Sequence, residues 1–363
     1  MTLTPERILI LKPSSLGDIV HALPTLASLR QRFPNAYLAW LVKEEWAELL
    51  DGNPDLDEVL SVKFSLKTWS SIVQRVRAKK FDVVIDLQGL FRTGALAALS
   101  GASERVGFAM AREGSAWFYT RRILLPVKVD GPWRLVDMHA VDRNLTIARF
   151  LGADVSRPTF CIPDFEDDRR VIQEYLDNAG VRADDQLIAI APVSREEIKN
   201  WPIERFAYVA ERLCQESNRK VVLLGSPSQQ KMAEAFSSLP QRSCLNLVGK
   251  LRIRQIGSLL RHVHLLIAND SAPVHLAMAV GVPVLGLYGP THVDATGPYG
   301  TGPHRILHTM TPCRPCGKKV CHHVNQHECL LEISVDEVVQ AAHELLSNRL
   351  MSVLQRPLDG VRS

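Results

Sequence analysis

Apolar positions along the chain keep two rhythms. Short unbroken apolar runs alternate with stretches in which apolar residues return every three or four positions. Residues 7–12 (RILILK), 37–42, 59–62 and 82–87 read as strands. Between them, Ile19, Leu23, Leu26, Leu29 and Phe33 have helical spacing and predict one helix over residues 18–32. Residues 46–50 read as helical and 68–80 as a basic helix. Around residues 153–168 the pattern gives way to a polar stretch with Pro158 and Pro163, which reads as a linker. It then restarts, with strands at 187–191, 221–224, 265–268 and 284–287, helices at 203–215 and 229–237, and an amphipathic helix at 335–347. Strand–helix alternation requires parallel sheets covered by helices on both faces. The expected architecture is α/β: two doubly wound Rossmann-like domains, residues 1–160 and 161–334, followed by a C-terminal helix and tail, 335–363. No internal repeat or low-complexity tract interrupts it.

Ligands of doubly wound sheets bind at the carboxyl ends of the strands. Two such domains facing a central cleft make the residues just after each strand the site candidates. Residues 12–21 (KPSSLGDIVH) lie between the first strand and first helix. Ser14, Ser15 and Gly17 are small enough to let a ligand approach the backbone, and a helix start offers unpaired N–H groups. Asp18 reads either as the cap of that helix or as a general base. Residues 269–275 (NDSAPVH) repeat the arrangement. Amides of Ser271 and Ala272 suit a diphosphate, Asp270 suits sugar hydroxyls, and His275 is either structural or a ligand contact. In residues 194–202, Lys199 is either a loop lysine or a counter-charge for a leaving diphosphate. The turn Gly225-Ser226-Pro227 fits phosphate approach or plain helix initiation.

No G-x-G-x-x-G follows a strand, no Walker A motif is present, and no G-x-S-x-G elbow appears. These absences count against dinucleotide dehydrogenases, P-loop enzymes and α/β-hydrolases. The formal net charge of +4 is too mild to indicate nucleic acid. Residues 1–160 hold 21 Lys and Arg against 17 Asp and Glu, while the remainder holds 22 of each. The excess reads as ordinary surface charge or as a first domain that meets an anionic partner. The longest apolar region, 274–288, is broken by His275, Gly281, Pro283 and Gly286 and does not read as a membrane span. Residues 8–11 are too short for a signal peptide, which predicts a cytoplasmic location. Of seven cysteines, Cys313, Cys316, Cys321 and Cys329 form a compact set near His322, His323 and His327. The set reads as a structural zinc site or as reduced, unliganded thiols.

KPSSLGDIVHALP (12–24), FDVVIDLQGLFRTG (81–94) and NDSAPVHLAMAVGVPVLGLYGPT (269–291) together resemble the ADP-heptose:lipopolysaccharide heptosyltransferases of glycosyltransferase family nine. The resemblance spans nearly the whole chain. It implies a GT-B fold and an inverting transfer of heptose from ADP-L-glycero-D-manno-heptose to Kdo-lipid A or heptosyl-Kdo-lipid A, with no cofactor required. The SSLGD-x-x-H segment is more like enzymes adding the first heptose, the cysteine segment more like those adding the second. By this resemblance Asp18 is the base. Ser15, Gly17, Ser194, Lys199, Asp270, Ser271, Ala272 and His275 serve the donor. Gln88, Arg92, Arg112 and Arg143, helped by the basic helix at 75–80, serve the acceptor. Contact with the cytoplasmic face of the inner membrane is expected to be peripheral, through basic side chains. Ala272 stands where the family commonly has glycine, and His292 where an acidic or small residue is usual. Another nucleotide sugar as donor, an epimerase of similar shape, or a non-catalytic nucleotide-sugar-binding protein are the competing readings.

Overall fold

The computed structural model describes residues 4–125, 127, 128, 131, 132, 138–216, 218–300 and 302–354. They form two compact units. The first ends at Pro163 and takes in Asp294–Thr296; the second begins at Asp164. The boundary thus falls inside the stretch read as a linker, slightly beyond residue 160, and helix starts again at Glu166.

The first unit contains β1 (Arg7–Leu11), α1 (Leu16–Val20), α2 (Leu23–Arg32), β2 (Tyr37–Lys43), β3 (Glu58–Val62), α3 (Trp69–Ala78), β4 (Val83–Asp86), α4 (Phe91–Leu99), β5 (Glu104–Phe108), β6 (Arg121–Ile123), the short pair β7 (Val127–Lys128) and β8 (Gly131–Pro132), and α5 (Ala140–Phe150). Its main sheet has the order β3-β2-β1-β4-β5-β6, and every pair in it is parallel. Central β1 sets Leu9 beside Ala39 and Val84. Both of its faces are covered, so RILIL is apolar without alternation. Leu9, Leu11, Leu41, Val84, Leu96 and Ile72 meet in one core.

The helix expected over 18–32 is two helices. Pro24 sits in the first turn of α2, where its missing N–H costs nothing, whereas inside a continuous helix it would remove a hydrogen bond. The helix expected over 46–50 is a 3-10 turn, Glu44–Leu49. The basic stretch 75–80 requires a larger correction. Arg7 Nε donates to Lys79 O at 2.6 Å, and the Lys79 ammonium pairs with Glu58. Arg7 and Glu58 begin β1 and β3. The end of this stretch, with Lys79, therefore lies at the amino edge of the sheet, opposite the edge that carries Asp18, whereas Arg75, a turn earlier, donates to Ser61 O on β3.

The second unit contains α6 (Glu166–Asn178), β9 (Gln186–Ala191), α7 (Ile203–Leu213), β10 (Arg219–Leu223), β11 (Cys244–Asn246), α8 (Ile253–Leu260), β12 (Leu265–Asn269), α9 (Ala272–Ala279) and β13 (Val284–Leu287), then, after the helical turn α10 (Val293–Thr296), of which Asp294–Thr296 count with the first unit, β14 (His304–Leu307), α11 (Glu328–Leu331) and α12 (Val335–Leu354). The strand order β11-β10-β9-β12-β13-β14 repeats that of the first unit, again all parallel. The helix expected at 229–237 is the 3-10 run Pro227–Phe236. Helix α12 is part of this unit's core, not a separate piece: Val338, Ala341, Ala342, Leu345 and Leu346 are buried with Ile190, Phe206 and Leu285. Trp201, also buried there, packs edge-on against Phe206 and donates Nε1–H to Ile333 O at 3.1 Å.

Candidate functional site

In the first unit, β1 delivers a loop to the carboxyl edge of the sheet. Trp40 on β2 is fully buried and donates Nε1–H to Lys12 O at 3.0 Å, which anchors the start of this loop. Ser15 is the N-cap of α1, and Asp18 is the third residue of the helix rather than its cap. Asp18 Oδ2 accepts from Ser15 N (3.0 Å) and Ser15 Oγ (2.7 Å). This is the acidic half of a capping box. Its other oxygen, Oδ1, lies 3.9 Å from Lys12 Nζ. Lys12 is buried, and its ammonium donates to Leu87 O at 3.1 Å. The Asp18 side chain keeps 40% of its exposure.

Helix α5 brings a second cation. Asn144 Nδ2 donates to His21 O at 3.3 Å, and the His21 and His139 rings meet edge-on at 5.2 Å. That docking sets the first turn of α5, with Arg143, beside α1. Burial acts to raise the Asp18 carboxyl, but Lys12, the two Ser15 bonds and Arg143 outweigh it and hold the group below its ordinary value. Burial lowers Lys12 against the pull of Asp18, with Arg143 and Arg112 adding to the lowering. Burial also lowers Arg143, opposed by Asp18.

The loop after β4 is shaped by Asp86, which the sequence reading passed over. This fully buried carboxyl accepts from Gln88 N (2.9 Å), Gly89 N (3.0 Å) and Tyr119 OH (2.8 Å). Burial raises its pKa despite those bonds. Gly107 is part of the same device: a Cβ there would overlap the Tyr119 ring. Gln88 Oε1 accepts from Ser14 N at 3.4 Å, which joins this loop to the one carrying Asp18. Gly89 O receives Arg112 N–H at 2.9 Å. Asp18, Ser15, Gly17, Gln88, Arg112 and Arg143 are thus brought to one edge. Arg92 is turned to other company, its guanidinium 4.2 Å above the Phe64 ring.

In the second unit the carboxyl edge carries a matching charged corner. Lys199 Nζ is 2.7 Å from Asp270 Oδ2 and 3.3 Å from Glu196 Oε2. Burial would lower the Lys199 pKa, but Asp270 and Glu196 prevail and raise it. Asp270 is nearly buried and also accepts from Thr291 Oγ1. Asn269 staples the corner together: its Oδ1 accepts from Trp201 N at 3.1 Å and its Nδ2 donates to Pro192 O at 2.5 Å. Ser194 N donates to Asn200 Oδ1 at 2.7 Å. Ser271 is the N-cap of α9, which Ala272 opens, and buried His275 lies one turn on. Tyr288, at the end of β13, is fully buried near Asp270, and its hydroxyl has no hydrogen-bond partner among the described residues. Thr291 and Tyr288 went unread as site residues. Their signal was the LYGPT segment directly after a strand.

Of the four clustered cysteines, Cys313 is exposed and Cys329 buried. Burial first, then Cys313, Cys316 and Cys321, push the Cys329 thiol up to about 11. The four are therefore neighbours. Among the described residues, however, no group of three His, Cys, Asp or Glu side chains is arranged to hold a metal ion. Nor does any helix among them have the length and apolarity to cross a membrane.

Two Rossmann-like units in tandem, both with the strand order 3-2-1-4-5-6, make up the GT-B class of fold. The sequence profile of glycosyltransferase family 9 (heptosyltransferase) matches residues 69–327, and the chain belongs to that family. It is similar to the lipopolysaccharide core heptosyltransferase OpsX of Haemophilus influenzae, 27% identical over 82% of this chain and 83% of that one. It is also similar to lipopolysaccharide heptosyltransferase 1 of Pseudomonas aeruginosa, 29% identical over 87% of each. A crystal structure of a family 9 glycosyl transferase from Veillonella parvula superposes with a TM-score of 0.80 at 28% identity, covering 96% of this chain and 99% of that one.

Proposed function

We propose that this chain transfers heptose from ADP-L-glycero-D-manno-heptose to the inner core of lipopolysaccharide, with Kdo-lipid A or heptosyl-Kdo-lipid A as acceptor, at the cytoplasmic face of the inner membrane. The observation that carries the mechanism is the state of Asp18. It is a half-exposed carboxylate at the carboxyl end of β1, kept ionised by Lys12, Ser15 and Arg143. Such a group is always in the proton-accepting form at neutral pH, although its low basicity reduces the driving force for the transfer.

In the proposed reaction the acceptor hydroxyl oxygen attacks the anomeric carbon of heptose from the face opposite ADP. The bond from that carbon to the phosphate oxygen breaks, ADP leaves with the electron pair, and Asp18 takes the hydroxyl proton. The transition state is oxocarbenium-like. Arg112 and Arg143 supply positive charge for the phosphates and carboxylates of the acceptor. Lys199 faces the charge that grows on the diphosphate, with the amides at the start of α9 beside it. Glu196 and Asp270 hold the Lys199 ammonium in place. The proposed step uses no metal.

Mass spectrometry of Kdo-lipid A incubated with ADP-heptose and the wild type, beside Asp18→Ala, tests this reading. A heptose added by the wild type only is expected. No product with Kdo-lipid A, nor with heptosyl-Kdo-lipid A assayed beside it, would reject the donor–acceptor assignment, and equal product from both proteins would reject Asp18 as the base.

A further inference from the structure

All strands of the first unit's main sheet are parallel, so every loop after a strand emerges at one edge. Four of the large apolar side chains that the unit leaves in solvent lie there. Leu66 (99% exposed) follows β3, Phe91 follows β4, Met110 follows β5 and Leu124 (75% exposed) follows β6, whereas Trp117 lies further along the β5–β6 connection, on its return toward the amino end of β6. These loops touch. The Arg92 guanidinium lies over Phe64, the Phe91 and Phe118 rings meet edge-on at 5.4 Å, and Phe91 N–H donates to Glu113 at 3.1 Å. An apolar cluster of this kind on a soluble unit marks a contact surface.

The charges around it indicate what it contacts. Residues 63–68, 87–92 and 109–120 carry Lys63, Lys67, Arg92 and Arg112, all exposed, against a single acid, Glu113. The loop after β2 is different. Its 3-10 turn has Glu44, Glu45 and Glu48 and presents no large exposed apolar side chain, so it is not part of the surface. Aromatic and aliphatic side chains ringed by cations match the headgroup region of an anionic bilayer, where apolar side chains sink below the surface and basic residues meet phosphates.

We infer that the carboxyl edge of the first unit docks on an anionic lipid surface through Leu66, Phe91, Met110 and Leu124. This rests on the proposed lipid-borne acceptor and deepens it: the edge that presents Asp18, Gln88 and Arg112 is the edge that meets the membrane. Lys79, at the opposite edge, has no part in it.

The test is cosedimentation of the full chain with vesicles of phosphatidylglycerol and phosphatidylcholine. The wild type is compared with Leu66→Ser/Leu124→Ser and with Leu99→Ser/Phe150→Ser, whose exposed apolar residues end α4 and α5 at the amino edge. The first pair is expected to weaken vesicle binding about tenfold or more, and the second to leave it at the wild-type level. The proposal is overturned if the wild type ignores anionic vesicles or if both pairs behave alike. It is also overturned if sedimentation velocity shows the first pair dissolving a dimer instead, since the surface would then join two copies of the chain. Transfer to a water-soluble Kdo acceptor, measured in parallel, separates the two readings. Vesicle binding without transfer would reject the heptosyl reaction and keep the surface. Transfer without vesicle binding would do the reverse.

Discussion

The Lys12 ammonium and the Asp18 carboxylate lie 3.9 Å apart at the head of α1, one buried and the other reaching solvent. The buried cation has no water shell of its own on that side, so its field acts on Asp18 with little screening. Ser15 occupies Oδ2 with two hydrogen bonds, and Oδ1 is the oxygen that faces Lys12. The arrangement orients the carboxylate and keeps it charged.

Replacing Asp18 by Asn keeps the shape of the side chain and an oxygen for Ser15. Activity is expected to fall about 10²- to 10⁴-fold in kcat, the range for loss of a general base. The melting temperature should fall somewhat, because the buried Lys12 ammonium loses its counter-charge. A variant with near-wild-type kcat would reject the assignment.

Lys12→Met removes the charge that does most to lower the Asp18 pKa. The acid limb of kcat/KM against pH is expected to move upward from below the ordinary carboxylate range. The stability sign follows from the same depression. The Asp18 interaction stabilises the native state above the unfolded carboxyl value, about pH 4, and that contribution is lost as pH falls through the lower folded value. Chemical denaturation of the wild type between pH 5 and about 2 should show this loss, and Lys12→Met should show less of it. An unmoved acid limb would mean that Lys12 does not tune Asp18.

Lys199→Ala takes away the cation facing the proposed diphosphate and leaves Asp270 nearly buried without its partner. A loss of about 10²- to 10³-fold in kcat is expected, with about 1–3 kcal/mol of destabilisation from the orphaned carboxylate. Lys199→Met/Asp270→Asn removes both charges and should regain stability while staying inactive. If the double variant recovers activity, the lysine serves only to neutralise Asp270.

Thiol chemistry reports on the cysteine segment. Cys313 is exposed, whereas Cys329 is buried and its thiol is pushed up to about 11. Mass-resolved alkylation of the native chain at neutral pH should modify Cys313 first and Cys329 last. Protection of all four until a chelator is added would instead reveal a metal held by the set.

Element type was readable where a strand is buried on both faces. RILIL, LIAIA and LLIAN have no polar interruption, and each proved central in its sheet. The strands that were missed lie toward the sheet margins. β5 and β6 begin with Glu104 and Arg121, and β14 begins with His304 and Arg305. β6 and β14 are edge strands, which bury little, so their sequences need not be apolar, whereas β5, one strand further in, buries only Val106 to Phe108. The break at Pro24 was legible in principle, but the helical spacing of Ile19, Leu23 and Leu26 continues across it and hides the turn.

The candidate site divides along the same line. By itself, the sequence determined that KPSSLGD and NDSAPVH follow strands and open helices, and hence that Asp18 and Asp270 stand at carboxyl edges of parallel sheets. Periodicity and loop chemistry are local and can be read along the chain. Only the tertiary structure decided the partners. Asp18 meets Arg143 through α5, far away in sequence, and Lys199 meets Asp270 across two neighbouring strands. Asp86 became the support of the Gln88 loop because Tyr119 packs against Gly107. Sheet order and helix docking set such pairings, and they depend on how distant apolar faces fill one core, which no local pattern records.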